Sequence, residues 1–430
     1  MNPDAVFNRY DIRGDHPDEI DGGFAERLGR ALGTWTVRNG RGQVVVGRDT
    51  RDASAAVQPA FIAGVRATGA NVVDIGAGTT DRVAVAAAHY GGTGVMVTAS
   101  HHAWDRTGFK LLYEAGNGFT NDDLDAVEEL FRDRSFESGE GTLLRAQHEV
   151  DEIYVEELGD AVRDLVDGDI DADVIVDTAG GAGRTAAAAF EEVGASVTEH
   201  RRSDLPAPEP TEESRADLQE LLAEEGGDAA VGYDPDGDRV YLVHPELGWV
   251  DGDRMLYALA HITGADRIVA SVDASPMLEE LDAAIEYTRV GDVFVAERGR
   301  EVEADLLGEP NGHYAVPAFS WYNSGILASL LLVAAADRLP GLLEPVAGYR
   351  SARRSAVYDT VEQRDAAFGE VKKRVAQEYD IVSRIDGVKF AADGITGLVR
   401  PSGTSPKLRA VVHTSPAEEA DPASIADRLL

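Results

Sequence analysis

Gly94-Val95-Met96-Val97-Thr98-Ala99-Ser100-His101 decides the fold class. An apolar run of strand length ends in a turn of small residues that presents one hydroxyl, Ser100, with an imidazole beside it. Open α/β sheets bind ligands at such carboxyl ends of strands. Upstream, Gln43-Val44-Val45-Val46 and Asn71-Val72-Val73-Asp74-Ile75 read as further strands, while apolar periodicity predicts helices over Ser54–Thr68 and Arg82–His89. Strands and helices in alternation predict a parallel α/β layer.

Acidic, turn-rich sequence from Arg132 to Gly141 marks a boundary, after which Val174-Ile175-Val176 and Ala229-Ala230-Val231 bracket a second α/β unit. A third starts near Gly252-Asp253, runs through Ile268-Val269-Ala270 and a predicted helix around Met277 to Ala284, and reaches a glycine loop at 308–312. From Tyr349 the pattern changes to a helix over Arg364–Tyr379 and short strands in 387–390, 398–400 and 408–412, a small α+β unit. The first three units place their polar motifs just after strands, which hints at a repeated architecture without convincing sequence identity.

The 430 residues exceed one ordinary core. With no cysteine, disulfides, zinc thiolates and thiol nucleophiles are excluded. No basic-then-apolar leader opens the chain and no stretch approaches a bilayer span, so a cytoplasmic protein is expected. The formal charge of −37 argues against nucleic acid or anionic membrane as partners. Only five of the 40 basic residues are lysine, namely Lys110, Lys372, Lys373, Lys389 and Lys407. Such a surface predicts a halophilic protein of haloarchaeal type, in which molar salt shortens the Debye length to about 3 Å.

Asp234-Pro235-Asp236-Gly237-Asp238-Arg239 offers three carboxylates at alternate positions, which share a face if the loop is extended. The set suits a hard cation such as magnesium. A calcium EF-hand is excluded, because Arg239 stands where Gly is required and Pro245 where Glu is required. Lys110, in a chain that otherwise favours arginine, supplies an amine able to lose a proton. Gly308-Glu309-Pro310-Asn311-Gly312-His313 offers polar groups sized for a sugar, and Arg400-Pro401-Ser402-Gly403-Thr404 with Arg409 has the equipment of a phosphate cradle. Gly180-Gly181-Ala182-Gly183-Arg184-Thr185 lacks the lysine and spacing of a Walker loop, and Gly76-Ala77-Gly78-Thr79 lacks the dinucleotide pattern; both read as strand-to-helix turns.

In their order and spacing these four segments resemble the α-D-phosphohexomutase family of phosphomannomutases, phosphoglucomutases and phosphoglucosamine mutases, nearly end to end. The resemblance implies three similar mixed α/β domains and a smaller α+β domain, heart-shaped around a central cleft, with divisions at 1–142, 143–246, 247–346 and 347–430. It implies transfer of phosphate between the 1-position and a distal hydroxyl of an aldose through phospho-Ser100 and a bisphosphorylated sugar. One Mg2+ would be held by Ser100, Asp234, Asp236 and Asp238, with a hexose bisphosphate as activator. His101, Lys110, Arg239 and His313 are the implied catalytic companions of Ser100. Tyr10, Arg13, Arg48, Glu309, Asn311, Arg400, Ser402, Gly403, Thr404 and Arg409 are the implied substrate contacts.

Small sugar phosphates are then the expected partners, with glucose and mannose first and glucosamine or pentose phosphates as alternatives. A sugar-phosphate-binding paralogue without turnover and a phosphatase using the same serine are further alternatives, and both a monomer and a homodimer are compatible with the chain. The sequence departs from the family pattern at His102-Ala103, where Asn-Pro is usual, at Asn311 for Ser, at Ser324 for Asp, and at Ser405 for Glu.

Overall fold

A computed structural model describes residues 6–7, 11–166, 168–177, 181–200, 208, 210–402 and 406–430, the side chains of 182 and 183 excepted. Tyr10, Gly180, Gly403, Thr404 and Ser405 lie outside the described residues. The chain divides into two compact units, residues 1–250 with 312–337, and residues 251–311 with 338–430.

In the first unit, strands β1 (Ile12–Asp15), β2 (Gln43–Arg48), β3 (Asn71–Ala77), β4 (Thr93–Val97), β5 (Arg106–Leu112) and β6 (Leu143–Arg145) form a sheet of order β1-β5-β4-β2-β3-β6. β2, β3, β4 and β6 run parallel, whereas β5 is antiparallel to both β4 and β1. The layer is therefore mixed at the edge that carries Lys110. Helices α1 (Gly22–Arg38), α2 (Asp52–Arg66), α3 (Thr80–Tyr90) and α4 (Asn121–Asp133) cover it. Alternation along β2 explains the two-sided core. Val44 and Val46 enter the cluster of Phe24, Leu28 and Phe61, and Val45 enters that of Val73, Val83 and Met96. Each buried valine is worth about 1.5–3 kcal/mol.

After α5 (Gln147–Val166), strands β7 (Asp173–Asp177), β8 (Ser196–His200), β9 (Ala229–Tyr233), β10 (Val240–His244) and β11 (Gly248–Val250) form a second sheet of order β11-β10-β9-β7-β8, with α6 (Ala182–Glu192) and α7 (Ala216–Glu225) between its strands. The second unit opens with α8 (Gly252–Thr263), then β12 (Arg267–Ser271), β13 (Ala284–Thr288), α9 (Asp292–Val302) and β14 (Leu306–Glu309), with β12 parallel to both β13 and β14. Strand β15 (His313–Ala315) and the wholly buried α10 (Gly325–Val333) belong to the first unit.

The predicted helix around Met277 to Ala284 is not formed. Ser275 caps a single 3-10 turn, Pro276–Glu280, and Ala284-Ile285-Glu286-Tyr287-Thr288 then pairs as β13, its β-branched and aromatic residues favouring the strand.

The hint of a repeat has a topological basis. In each of the three sheets the first parallel strand lies between the second and the third, as β3-β2-β4, β8-β7-β9 and β13-β12-β14. The third strand of each leads into or ends in a motif: Ser100 follows β4, Asp234 follows β9, and Glu309 ends β14.

After α11 (Leu339–Leu343) comes an antiparallel sheet of order β16-β20-β19-β18-β17, built from β16 (Arg350–Val357), β17 (Asp380–Ser383), β18 (Val388–Ala392), β19 (Ile395–Pro401) and β20 (Lys407–Thr414). Helices α12 (Val361–Glu378) and α13 (Pro422–Leu429) pack on it through Val371, Val375, Ile425 and Leu429. Among the described residues no single helix is long and apolar enough to cross a membrane.

Candidate active site

Ser100 follows β4 with its backbone in the left-handed region, φ +50°. Left-handed geometry costs a residue bearing Cβ about 1–2 kcal/mol. Its N–H donates to Thr98 Oγ1 at 2.8 Å, and its hydroxyl donates to Asp234 Oδ2 at 3.0 Å and lies 3.4 Å from His101 Nδ1. Lys110 sits on β5 opposite Met96 of β4, so the hairpin between the two strands produces the ten-residue interval between Ser100 and Lys110.

The three aspartates converge through a tight turn, which corrects the extended loop expected from their alternate spacing. Gly237 donates to the Asp234 carbonyl at 3.1 Å and takes φ +71°, a value that favours glycine. All three carboxylates are fully buried, with one oxygen from each within 4.8 Å of the others. Asp236 Oδ2 accepts from Lys110 Nζ at 2.7 Å and from Thr80 Oγ1 at 2.9 Å, and Lys110 also donates to Asp238. Asp236 Oδ1 is buried and has no hydrogen-bond partner among the described residues. A stranded acceptor among three buried carboxylates fits a hard, oxygen-seeking divalent cation.

Charge in this cluster is unevenly held. Burial, then Asp238 and Asp236, push the Asp234 carboxyl well above the usual range. Asp238 also suffers burial, but Lys110, His313 and Arg239 outweigh it and hold that carboxyl well below the usual range. Burial works against the Lys110 ammonium, yet Asp236 and Asp238 prevail and keep its proton affinity well above the ordinary lysine value. Arg239, then burial and Arg13, drive His101 far below the usual imidazole range, so its ring is neutral. Burial, then Arg13 and Arg106, push His102 down to about 4.

His313 is delivered by β15, which bridges to Arg239. Its Nε2 lies 3.2 Å from Arg239 Nε and 3.2 Å from Asp238 Oδ1, positions from which one ring nitrogen can accept from the guanidinium or donate to the carboxylate. The start of α10 presses on the same turn. Gly325 N–H donates to the Gly237 carbonyl at 3.1 Å, and a Cβ at Gly325 would come within 2.7 Å of the Arg239 carbonyl.

The structure thus brings Ser100, His101, Lys110, Asp234, Asp236, Asp238, Arg239 and His313 together, with Arg13 among the charges acting on His101 and Lys110. Arg48 instead donates to the Asp49 carbonyl at 2.9 Å. In the second unit, Glu309 is buried and accepts from the Gly291 N–H at 2.8 Å, whereas Asn311 is exposed. Arg400 faces Arg409 across β19 and β20, and Asp386 lies 2.7 Å from Arg400 Nε. Two like charges directly opposite in a sheet repel, and a bound dianion relieves the repulsion. Ser402 is buried beside them, with its N–H on the Lys407 carbonyl and its carbonyl accepting from Arg364.

Three participants escaped the sequence reading. Thr80 touches Asp236 directly after the Gly76–Thr79 turn that had been set aside. Tyr322 donates to Asp238 Oδ2 at 3.3 Å and places its ring centre 5.8 Å from Lys110 Nζ. Arg51, two positions beyond Asp49, reaches the Ser100 loop.

Sequence profiles described as phosphoglucomutase/phosphomannomutase, alpha/beta/alpha domains I, II and III match residues 4–138, 152–248 and 251–347. A probable phosphoglucosamine mutase of Methanosarcina barkeri is 32% identical over 417 residues, covering 94% of each chain. A phosphoglucomutase/phosphomannomutase of Thermococcus kodakarensis is 28% identical over 444 residues, covering 96% of each. Among solved structures, a phosphoglucomutase/phosphomannomutase family protein of Burkholderia thailandensis superposes with a TM-score of 0.83 at 25% identity, over 100% of this chain and 96% of that one. With three profiles spanning most of its length and a serine, a lysine and a carboxylate triad in contact, the chain belongs to the α-D-phosphohexomutase family of phosphotransferase mutases.

Proposed function

We propose that the protein interconverts a hexose 1-phosphate and its 6-phosphate, with phospho-Ser100 as donor and acceptor and a hexose bisphosphate as intermediate and activator. The observation that carries this reading is the Ser100 hydroxyl, 3.0 Å from one of three buried aspartates and on a strand end beside Lys110. In the forward step the bond from phosphorus to the Ser100 oxygen breaks and a bond to the sugar oxygen forms. The proton of the sugar hydroxyl passes to a protein base and the serine oxygen leaves with its electron pair. Lys110 is assigned to that proton because an amine can carry or lose one, which a guanidinium cannot, and Asp236 and Asp238, which hold it as the ammonium here, must release it for that role.

Arg239 and Arg13 offset the charge of the phosphoryl oxygens, and His313 stands between Arg239 and Asp238 with one ring nitrogen within reach of both. Mg2+ held by Asp234, Asp236, Asp238 and the phosphoserine would supply Lewis-acid polarisation of the phosphoryl group. Glu309 and Asn311 are assigned to the sugar hydroxyls. Arg400, Ser402, Gly403, Thr404 and Arg409 are assigned to the phosphate that is not reacting, with Tyr10 and Arg48 as further phosphate contacts. The four functional parts are assigned to residues 1–142, 143–246, 247–346 and 347–430.

Glucose and mannose phosphates are the first candidate substrates. Glucosamine phosphate is a second, favoured by the name of the Methanosarcina relative. Phosphorus NMR of the protein in molar KCl with Mg2+, a trace of hexose bisphosphate and each sugar 1-phosphate in turn tests the reading. Conversion of one sugar to its 6-phosphate is expected, and Ser100→Ala is expected to abolish it. Turnover by Ser100→Ala at the wild-type rate would overturn the covalent route, and inorganic phosphate without isomeric product would mark a phosphatase.

A further inference from the structure

We propose that Arg51 is the positioning residue of the Ser100 loop, the group that fixes the angle at which the serine hydroxyl meets Asp234. Arg51 stands at the start of α2 with its side chain fully buried, and its guanidinium is spent almost wholly on one loop. Nε donates to Asp49 Oδ2 at 2.9 Å, Nη1 to the Ala103 carbonyl at 2.5 Å, and Nη2 to the His102 carbonyl at 2.7 Å and to the carbonyl of Ser100 itself. The Trp104 ring lies 4.8 Å from the guanidinium carbon, close enough to cap the fork by a cation–π contact.

The other side of Ser100 is held by the same ion pair. Asp49 Oδ2 accepts from Thr98 Oγ1 at 2.7 Å, and Thr98 Oγ1 accepts the Ser100 N–H at 2.8 Å. Asp49 therefore fixes the N–H of Ser100 through Thr98, and Arg51 fixes its carbonyl. A residue with a Cβ at φ +50° persists only where its surroundings over-determine it, and here both of its peptide groups are pinned. The chain also lacks the proline that the family usually places at 103, so no pyrrolidine ring stiffens the loop at Ala103. A lysine at 51 would keep the charge beside Asp49 but could not present a planar fork to three carbonyls.

The inference rests on Ser100 as the phosphoryl carrier, and its test has one arm that does not. Arg51→Lys in the whole chain is expected to lower kcat about 10- to 100-fold with KM within about twofold, since the geometry of the carrier changes and the sugar contacts do not. Hydrogen exchange of the amides of 99–104 is expected to quicken about tenfold while those of β4 and α2 keep their wild-type protection. Unchanged loop exchange, wild-type kcat, or quickened exchange spread over the entire first sheet would overturn the proposal. If Arg51→Lys does not fold, Trp104→Leu, which leaves the Asp49 pair intact, is read in the same way, and unchanged loop exchange in that variant overturns it. Absence of turnover by the wild-type protein on every hexose phosphate would remove the mutase reading, while loop exchange would still decide the clamp.

Discussion

Asp81 is buried, and hydroxyl groups hold its carboxylate. Tyr154 donates to its Oδ2 at 2.5 Å, Ser324 donates to the same oxygen, and burial pushes the carboxyl up. Ser324 also accepts the Leu327 N–H at 3.0 Å and so caps α10. The family's usual aspartate at 324 would set a second carboxylate against Asp81 in this chain, where the serine hydroxyl donates to it instead. Ser324→Ala is expected to cost about 1–3 kcal/mol by leaving a buried acceptor short of a donor. Urea unfolding in molar KCl measures it, and turnover per folded molecule is expected to stay unchanged. Ser100, Lys110 and the aspartates could be read in the sequence because each adjoins a strand or lies within one short loop. Tyr322 and Thr80 could not, because their contacts to Asp238 and Asp236 span 84 and 156 positions and are created only by packing.

Strands 16 and 20 show what one element can do to acid stability. Asp253, at the start of α8, is buried and pushed up to about 7 by burial, against the opposing pull of Arg353 and with Asp251 and Asp273 adding to the rise. His413 on β20 is pushed down to about 3 by burial, then by Arg353, while its Nδ1 meets Ser351 Oγ at 2.7 Å and its Nε2 the Asp273 carbonyl at 3.2 Å. Between about pH 4 and 7 Asp253 binds its proton more tightly in the fold than in the unfolded chain, so its contribution to stability falls as pH rises. His413 titrates the other way: from about pH 3 to 6.5 the unfolded chain binds the extra proton, and its contribution rises with pH.

The two slopes oppose one another over their shared range. Subtracting the wild-type curve from that of Asp253→Asn is expected to leave a difference that climbs by a few kcal/mol from pH 4 to 7. For His413→Asn the difference is expected to fall from pH 3 to 6.5, and flat differences in denaturant titrations would contradict both. Neither charge pair was visible in sequence. The helix expected near Met277 failed for a related reason, since parallel pairing of β13 with β12 overrides local periodicity in a short acidic segment.

At the scale of the molecule, 77 acidic against 40 basic residues give a net charge of −37, and self-repulsion of that size is relieved by screening. Circular dichroism melts across a KCl series are expected to show the melting temperature rising into the molar range. Equal stability at low and molar salt would contradict a halophilic protein. The three-fold strand order, hidden from the sequence by the lack of identity between repeats, was nonetheless signalled by motifs that follow corresponding strands. The return of β15 and α10 to the first unit had no such signal, and it bears on how the molecule is made. A ribosome that has released residue 250 has produced both early sheets but none of the segment 312–337 that completes their core. The nascent chain at that stage holds Asp81 without Ser324, and Tyr233 without the Ser329 hydroxyl that meets it at 2.6 Å. The contacts that residues 312–337 bring to this half, Ser324 to Asp81 and Ser329 to Tyr233, can therefore form only after residues 251–311 have been translated.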